Sequence, residues 1–143
     1  MNIRSFQTKQ ILFLVSIYIH LSPMENTILQ INQFLKKHSW CDFEIINLEG
    51  YQLKGQLVIT GKTGFSDFDI QITFEEVFFM QCLYEWKTDT TKEAFSIPDI
   101  EEQKEINLKY GIETGYYLFR IHAEDIEAPM YISAKNCKFE LLN

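Results

Sequence analysis

The chain has 143 residues, a length that suits one domain. Its hydrophobic fraction of 46%, with 12 Phe, 7 Tyr and 2 Trp, is ample for a packed interior and excludes global disorder. The formal net charge is −7, and all 20 acidic residues but only 11 of the 13 basic residues follow residue 23. Such a balance repels phosphate backbones and disfavours nucleic-acid binding.

Residues 1–23 form an N-terminal extension with its own character. Arg4 and Lys9 precede the apolar run Ile11–Ile19, as in the charged and apolar regions of a secretory signal. The run is too short for a stable membrane span, which needs about 20 apolar residues, and no small-x-small cleavage site follows it. Three interpretations stay open: a dispensable or misassigned extension before a start at Met24, a signal or anchor, and an integral helix or strand.

The single α+β domain predicted for residues 24–143 opens with an amphipathic helix, from Pro23 to about His38. Ser22 as N-cap, Pro23 at the first helical position and Glu25 at the third match a capping box. We expect its apolar stripe to pack on a sheet. The stripe consists of Met24, Ile28, Ile31, Phe34 and Leu35.

Strands with a period of two follow the helix. The clearest is Asp67–Phe74, in which Phe68, Ile70, Ile72 and Phe74 alternate with polar residues, two of them acidic. Gly55 falls in the phase of the inward residues of its strand and is a candidate bulge or close contact. The first four predicted strands are Phe43–Glu49, Tyr51–Thr60, Asp67–Phe74 and Val77–Lys87.

The second half of the chain reads as a long loop over residues 88–103 and then more strands. Ile106, Leu108 and Tyr110 alternate as in a strand, with a helix from Asp99 to Lys109 as the alternative. The remaining predicted strands are Tyr116–Ala123, Met130–Ala134 and Cys137–Leu142, the last two joined by a turn at Lys135-Asn136. About 7–8 strands with one helix packed on them predict a mostly-β antiparallel sandwich or half-open barrel.

The sequence contains no catalytic constellation. Only His38 and His122 lie beyond the extension, and no G-x-S-x-G elbow is present. The cysteines number three and form no C-x-x-C pair, which is typical of thiols in a reducing compartment rather than of a metal site. We therefore predict a cytoplasmic, non-enzymatic protein without metal or cofactor, or an exported one if the extension acts as a signal.

A cationic protein is the partner that an acidic surface would attract. Trp40 is either a binding hot spot or a residue that locks the helix onto the sheet. The acidic residues predicted to contact the partner are Asp67 and Asp69 on a strand, Glu75 and Glu76 at the break that follows it, and Asp99, Glu101 and Glu102 in the loop.

The order of elements resembles that of small bacterial immunity proteins of polymorphic toxin systems and related β-rich proteins. The segments that carry the resemblance are Ser39-Trp40-Cys41-Asp42, Phe74-Glu75-Glu76-Val77 and Tyr131-Ile132-Ser133-Ala134-Lys135. The resemblance implies a cytoplasmic inhibitor that occludes the active site of a cognate toxin.

A small apolar-ligand carrier is the alternative function. If the sheet closes around a cavity, aromatic and sulfur-containing side chains would line it. If the helix fills the sheet, the same side chains form the core. They are Phe74, Phe78, Met80, Tyr84, Trp86 and Phe119.

Overall fold

The computed structural model describes residues 21–48, 50, 55–65, 67–90 and 92–142. Residues 1–20 lie outside the described residues, and so do the three interpretations of the extension. Glu49 and residues 51–54 of the first predicted hairpin lie outside them as well. Among the described helices, none is long and apolar enough to cross a membrane.

Seven strands and two helices make up the described chain. Each strand pairs antiparallel with its neighbours in one sheet of order β4-β1-β2-β3-β7-β6-β5. The mostly-β antiparallel prediction is confirmed, in the form of a curled half-barrel. The elements are α1 (Pro23–Leu35), β1 (Cys41–Leu48), β2 (Leu57–Lys62), β3 (Ile70–Gln81), β4 (Glu85–Thr88), β5 (Phe95–Ser96), α2 (Ile100–Tyr110), β6 (Tyr117–Ile121) and β7 (Met130–Leu141).

The sheet curls until β4 meets the chain that leaves β6. Thr88 forms an isolated antiparallel bridge with Ala123. The backbone N–H of Glu124 donates to the Lys87 carbonyl at 2.8 Å, and the Thr88 hydroxyl donates to the His122 carbonyl at 3.1 Å. These bonds pair some of the backbone groups on the outer edge of β4. The curled sheet has an inner face and an outer face.

The inner face carries the larger core. Residues of α1 and of every strand form one buried cluster on this face, and Phe43, Phe74, Phe95 and Phe119 are no more than 1% exposed. The Ser22 hydroxyl accepts from the Glu25 N–H at 3.2 Å, and the Glu25 carboxylate accepts from the Ser22 N–H at 3.3 Å. The predicted capping box is therefore present and fixes the start of α1.

Asn32 of α1 lies in this core and pairs with the backbone of Phe95 in β5. Its amide nitrogen donates to the Phe95 carbonyl at 2.7 Å, and its amide oxygen accepts from the Phe95 N–H at 3.1 Å. The Asn32 amide therefore makes the two backbone hydrogen bonds with β5 that a neighbouring strand would otherwise make.

A smaller cluster lies on the outer face at the β6 and β7 end, where α2 packs. Its buried members are Ile106, Ile112, Leu118 and Tyr131. The strand predicted at Ile106–Tyr110 is wrong, and the alternative helix is correct. Leu108 is 85% exposed. Although Ile106, Leu108 and Tyr110 alternate as in a strand, only Ile106 is buried within the helix.

Two predicted breaks between strands also differ from the structure. β7 continues through the predicted turn at Lys135-Asn136, because β3 supplies partners along its whole length. β3 in turn runs through Glu75-Glu76 and ends at Gln81, so Val77–Lys87 is divided between β3 and β4. A register shift between Val77 and Phe79 accommodates the bend that two such long, curled strands require.

Gly55 makes the close contact that its strand phase indicates. Its φ is +57°, its carbonyl accepts from the Val77 N–H at 2.8 Å, and a Cβ there would lie 3.1 Å from the Val77 carbonyl oxygen. Only glycine fits this approach without strain.

Candidate functional site

Charged side chains cross the exposed end of the outer face in two rows. Cys41, Phe43 and Ile45 face the core, so the intervening Asp42 and Glu44 project outward from β1. In one row Asp42 lies between Lys87 of β4 and Lys62 of β2. In the other row Glu44 lies between Glu85 of β4 and Thr60 of β2.

These rows border an open groove of about 460 Å³, which we call the outer groove. The Lys62 ammonium lies 4.7 Å from the centre of the Phe68 ring, a cation–π contact that holds both side chains at the edge of the groove. The side chains that line the groove outside the core are Asp42, Glu44, Lys62, Phe68, Glu85 and Lys87.

Glu44 and Glu85 are directly opposite each other on adjacent strands. Two like charges in this position destabilise a sheet. The nearby lysines lie in the other row, opposite Asp42. The pair therefore places two like charges side by side on the outer face.

We expect Glu44→Gln to raise the free energy of unfolding by about 0.2–1 kcal/mol, because the substitution removes this repulsion. The gain should shrink as salt is added, since salt screens exposed charges. Urea denaturation at low and high salt measures both effects, with Glu113→Gln at an exposed loop position as the control. An equal gain from the control would mean that only net charge matters.

An aromatic rim stands next to the outer groove. The Trp40 ring lies 5.6 Å from the Phe65 ring, and the Lys87 ammonium is 5.8 Å from the centre of the Trp40 ring. Phe65 is 99% exposed. Trp40 and Phe65 therefore form an aromatic patch on the surface rather than part of the core.

The acids Asp67 and Asp69, predicted to lie on a strand, come just before β3, which begins at Ile70. Asp67 is exposed, whereas Asp69 is partly buried and accepts hydrogen bonds from the Thr63 hydroxyl and, at 2.6 Å, from the Thr63 N–H. These bonds, with a smaller contribution from the His38 charge, hold the pKa of Asp69 below its ordinary value. Asp69 therefore closes the turn between β2 and β3.

We expect Asp69→Asn to lower the free energy of unfolding at pH 7 by about 0.5–1 kcal/mol, a value reduced by the exposure of the site. A carboxyl whose folded-state pKa is depressed stabilises above its unfolded-state pKa and loses that contribution as the pH falls. The difference from the parent chain should therefore shrink from about pH 4 downward. Urea denaturation from pH 7 to pH 3 measures it, and Asp67→Asn, two residues away, should change little throughout.

Glu75 and Glu76 lie where β3 bends against β7. The Glu75 carboxylate pairs with the Lys138 ammonium at 2.8 Å and accepts from the Asn136 amide at 3.1 Å. Glu76 has a φ of 52° and lies 3.7 Å from the Lys135 ammonium. Both carboxylates thus have cationic neighbours within the chain.

The predicted loop acids belong to the first turn of α2. Asp99 is its N-cap and accepts from the Glu102 N–H at 2.9 Å. Glu102 binds the Arg120 guanidinium of β6 through both oxygens, at 2.8 and 2.9 Å, and the Arg120 Nε donates to the Ser96 hydroxyl at 3.0 Å. Glu101 is exposed.

The eight predicted residues therefore lie in separate parts of the fold rather than in one site. Trp40 lies on the aromatic rim. Of the other seven, two lie in the turn between β2 and β3, two lie within β3, and three lie at the start of α2. The prediction missed the acids of the outer groove, although Asp42 and Glu44 alternate with apolar residues in the sequence. Their pairing with Glu85 depends on strand register, which short-range patterns do not give.

The six residues proposed to line an apolar pocket also separate. Phe74 and Phe119 pack edge to face at 5.1 Å in the core, and Trp86 stacks on Phe43 at 5.5 Å. Phe78 and Tyr84 are 40% and 65% exposed. Met80 is partly buried against the inner cluster.

His122 lies in a cleft of about 380 Å³ where the sheet closes on itself, with Asp89, Lys92, Glu124, Asp125 and Glu127 among the lining residues. Burial, followed by the Arg120 charge, lowers the pKa of His122. Among the described residues, no three His, Cys, Asp or Glu side chains are grouped so that they could hold a metal ion.

The cysteines remain protonated at neutral pH. Burial raises the pKa of Cys41 and Cys137 to about 12 and that of Cys82 to about 11. Thiols react as thiolates, so none of these three is an activated nucleophile.

No family model matches the chain, and neither a curated protein nor a solved structure is significantly similar to it.

Proposed function

We propose that the chain is a non-enzymatic protein-binding module that contacts a cationic partner through the outer groove and the aromatic rim. The observation that carries the proposal is the opposed pair Glu44 and Glu85, two like charges on adjacent strands that line the outer groove. A positively charged partner would relieve the repulsion when it binds. The surface would then be less stable when free than when bound.

Charge and aromatic groups contribute differently to such binding. Acidic side chains steer a basic partner toward the surface and raise the association rate, an effect that salt weakens. Aromatic side chains bury large areas with little loss of conformational freedom and supply much of the binding energy. The outer groove provides the first kind of group, and Trp40 with Phe65 provides the second.

The finer proposal is that the partner is a basic toxin and the chain a cytoplasmic immunity protein that occludes it. Two residues of the segment Ser39-Trp40-Cys41-Asp42, which prompts that resemblance, lie at this surface: Asp42 in the outer groove and Trp40 on the aromatic rim. The net charge of −7 also suits a basic partner.

Affinity capture from the native cell, with the full chain as bait, tests the proposal. We expect one basic protein to be retained at low salt, and its retention to weaken at high salt. The double variant Glu44→Lys with Glu85→Lys should lose it, because both charges that face the partner are reversed.

A matched control is the double variant Glu105→Lys with Glu113→Lys, which makes the same change in net charge at exposed positions in and after α2. The control should retain the captured protein. If both double variants lose the captured protein equally, net charge alone explains the loss. If both retain it equally, the outer groove is not part of the binding surface. Trp40→Ala and Phe65→Ala then test the rim, and the expected loss shows mainly as faster dissociation.

A further inference from the structure

The helix α2 packs on the outer face through little apolar surface. Among the eleven described residues of α2, Ile106 alone is buried, whereas α1 buries five residues. Ile100 and Leu108, the other large aliphatic side chains of α2, are 68% and 85% exposed. Hydrophobic stabilisation grows with the apolar area removed from water, so it holds α2 on the sheet much less firmly than α1.

Polar and aromatic contacts fix the two ends of α2. In the first turn, Glu102 binds the Arg120 guanidinium of β6 through both carboxylate oxygens. In the last turn, the Tyr110 ring stacks on Phe79 at 4.2 Å, and its hydroxyl donates to the Gln81 amide oxygen at 3.1 Å. Each of these five side chains is at least partly exposed. Water can therefore solvate them when the helix separates from the sheet.

The sheet beneath α2 carries a buried hydroxyl without a partner. Ser133 of β7 lies directly opposite Leu118 of β6 and Phe79 of β3, and both of these pack in the cluster that contains Ile106. Directly opposite residues share a face of the sheet, so Ser133 points to the face on which α2 packs. It is 0% exposed, and its hydroxyl bonds to none of the described residues. An unpaired buried hydroxyl costs free energy, and separation of α2 would let water bind it.

The chain on both sides of α2 suits a hinge. Pro98 has no backbone N–H to donate, and the pairing of β5 with β6 stops before it. After the helix, Gly111 and Gly115 have φ of +63° and +102°. Glycine adopts positive φ with little strain, so this segment can change direction more easily than other sequences. A movement of α2 therefore need not disturb β5 or β6.

We propose that α2 is a lid that lifts from the outer face as one unit while α1 and the sheet stay folded. Elements with few buried apolar side chains open locally at the lowest free energy, and α2 is such an element. Lifting exposes Leu118 and Tyr131 of the sheet and separates the Arg120 guanidinium from Glu102. The open form thus presents an apolar and cationic surface that the closed form hides.

Thiol labelling compares the opening of the lid with the unfolding of the core. Ser133→Cys places a thiol beneath α2, and the native Cys137 of the same strand, 2% exposed in the inner cluster, reports on the core. Trypsin cleaves after Lys135 and separates the two thiols, so peptide mass spectrometry after maleimide treatment gives both rates. In the full chain we expect the thiol at position 133 to react at least about tenfold faster than Cys137.

A variant of the Glu102 contact shows whether this labelling depends on α2. Glu102→Gln removes the charge that binds Arg120, so labelling at position 133 should become about three- to tenfold faster. Glu101→Gln is the matched control, because it makes the same charge change at an exposed position in the same helical turn. It should leave the rate at position 133 nearly unchanged.

Hydrogen exchange of the unsubstituted chain is a second measurement, because a thiol at position 133 could itself disturb the cluster. A separated helix of eleven residues is marginal in water, so its amides exchange when α2 lifts. The amides of residues 104–108 should exchange at least about tenfold faster than those of residues 28–35 in α1. Dilute urea should accelerate them less than the α1 amides, since lifting exposes less surface than unfolding does.

Two results would overturn the proposal. Equal labelling at positions 133 and 137, or equal exchange and urea dependence in the two helices, would show that α2 separates only when the whole domain unfolds. Fast labelling at position 133 that Glu102→Gln and Glu101→Gln change equally would show that the outer face opens without movement of α2.

Discussion

Asn32→Leu is expected to lower the free energy of unfolding by about 2–4 kcal/mol. Leucine has the same branched arrangement of side-chain heavy atoms as asparagine, although it is bulkier, and it neither donates nor accepts. The Phe95 N–H and carbonyl, which now bond to the Asn32 amide at 3.1 and 2.7 Å, would be left buried and unpaired. Each such group costs about 1–3 kcal/mol. Urea denaturation measures the loss.

Gln33→Leu is the matched control, because Gln33 is the next residue of α1 and is exposed. It should change stability by less than about 0.5 kcal/mol. A small effect of Asn32→Leu as well would mean that water or a shift of β5 satisfies the Phe95 backbone.

Asn32→Asp should make the stability of the folded protein depend on pH at the same site. A charged carboxylate cannot donate to the Phe95 carbonyl, whereas a protonated carboxyl can both donate and accept. The folded-state pKa of this carboxyl should therefore lie above its unfolded-state value, so the stabilising contribution is present at low pH and lost as the pH rises. The variant should approach the parent stability near pH 3–4 and fall away from it toward pH 7.

Gly61→Ala is expected to cost about 1–3 kcal/mol, because the inner face has no room for a methyl group at this position. A Cβ there would lie 2.8 Å from Ile70 Cγ1 and 2.9 Å from both Cys41 Sγ and Phe43 Cε1. All three of these side chains are no more than 1% exposed and cannot move into solvent. Thermal and urea denaturation measure the loss.

Gly64→Ala, three residues later, is the control, since a Cβ at Gly64 would meet nothing within 4 Å. It should be nearly neutral. Equal stability of the two variants would show that the core around Gly61 relaxes at little cost.

The parts of the fold that local pattern determines were predicted from the sequence. The capping box of α1 and the inward set Ile70, Ile72 and Phe74 depend on neighbours within a few residues. The helix Ile100–Tyr110 was misjudged because Leu108 is apolar yet exposed. The β7 strand was divided because the polar pair Lys135-Asn136 looks like a turn, while β3 pairs with β7 across both residues.

The candidate site was less predictable than the fold. An acidic residue on a strand gives no local sign of whether it will be paired, and Glu75 and Glu102 find their cationic partners 63 and 18 residues away. Glu44 and Glu85 meet because β4 returns beside β1. Such partners are set by strand order and register, which depend on the packing of the whole domain.

The position of β7 has a consequence for how the protein is made. β7 lies between β3 and β6 in the sheet but follows every other element along the chain. Residues 50 to 71 positions apart must meet to form the β3–β7 ladder, so this step closes large loops and is slow. A ribosome adds about 5–20 residues per second. Until β7 has emerged from it, β3 and β6 have no partner on that side, so we expect the domain to complete folding only after its last strand has been translated.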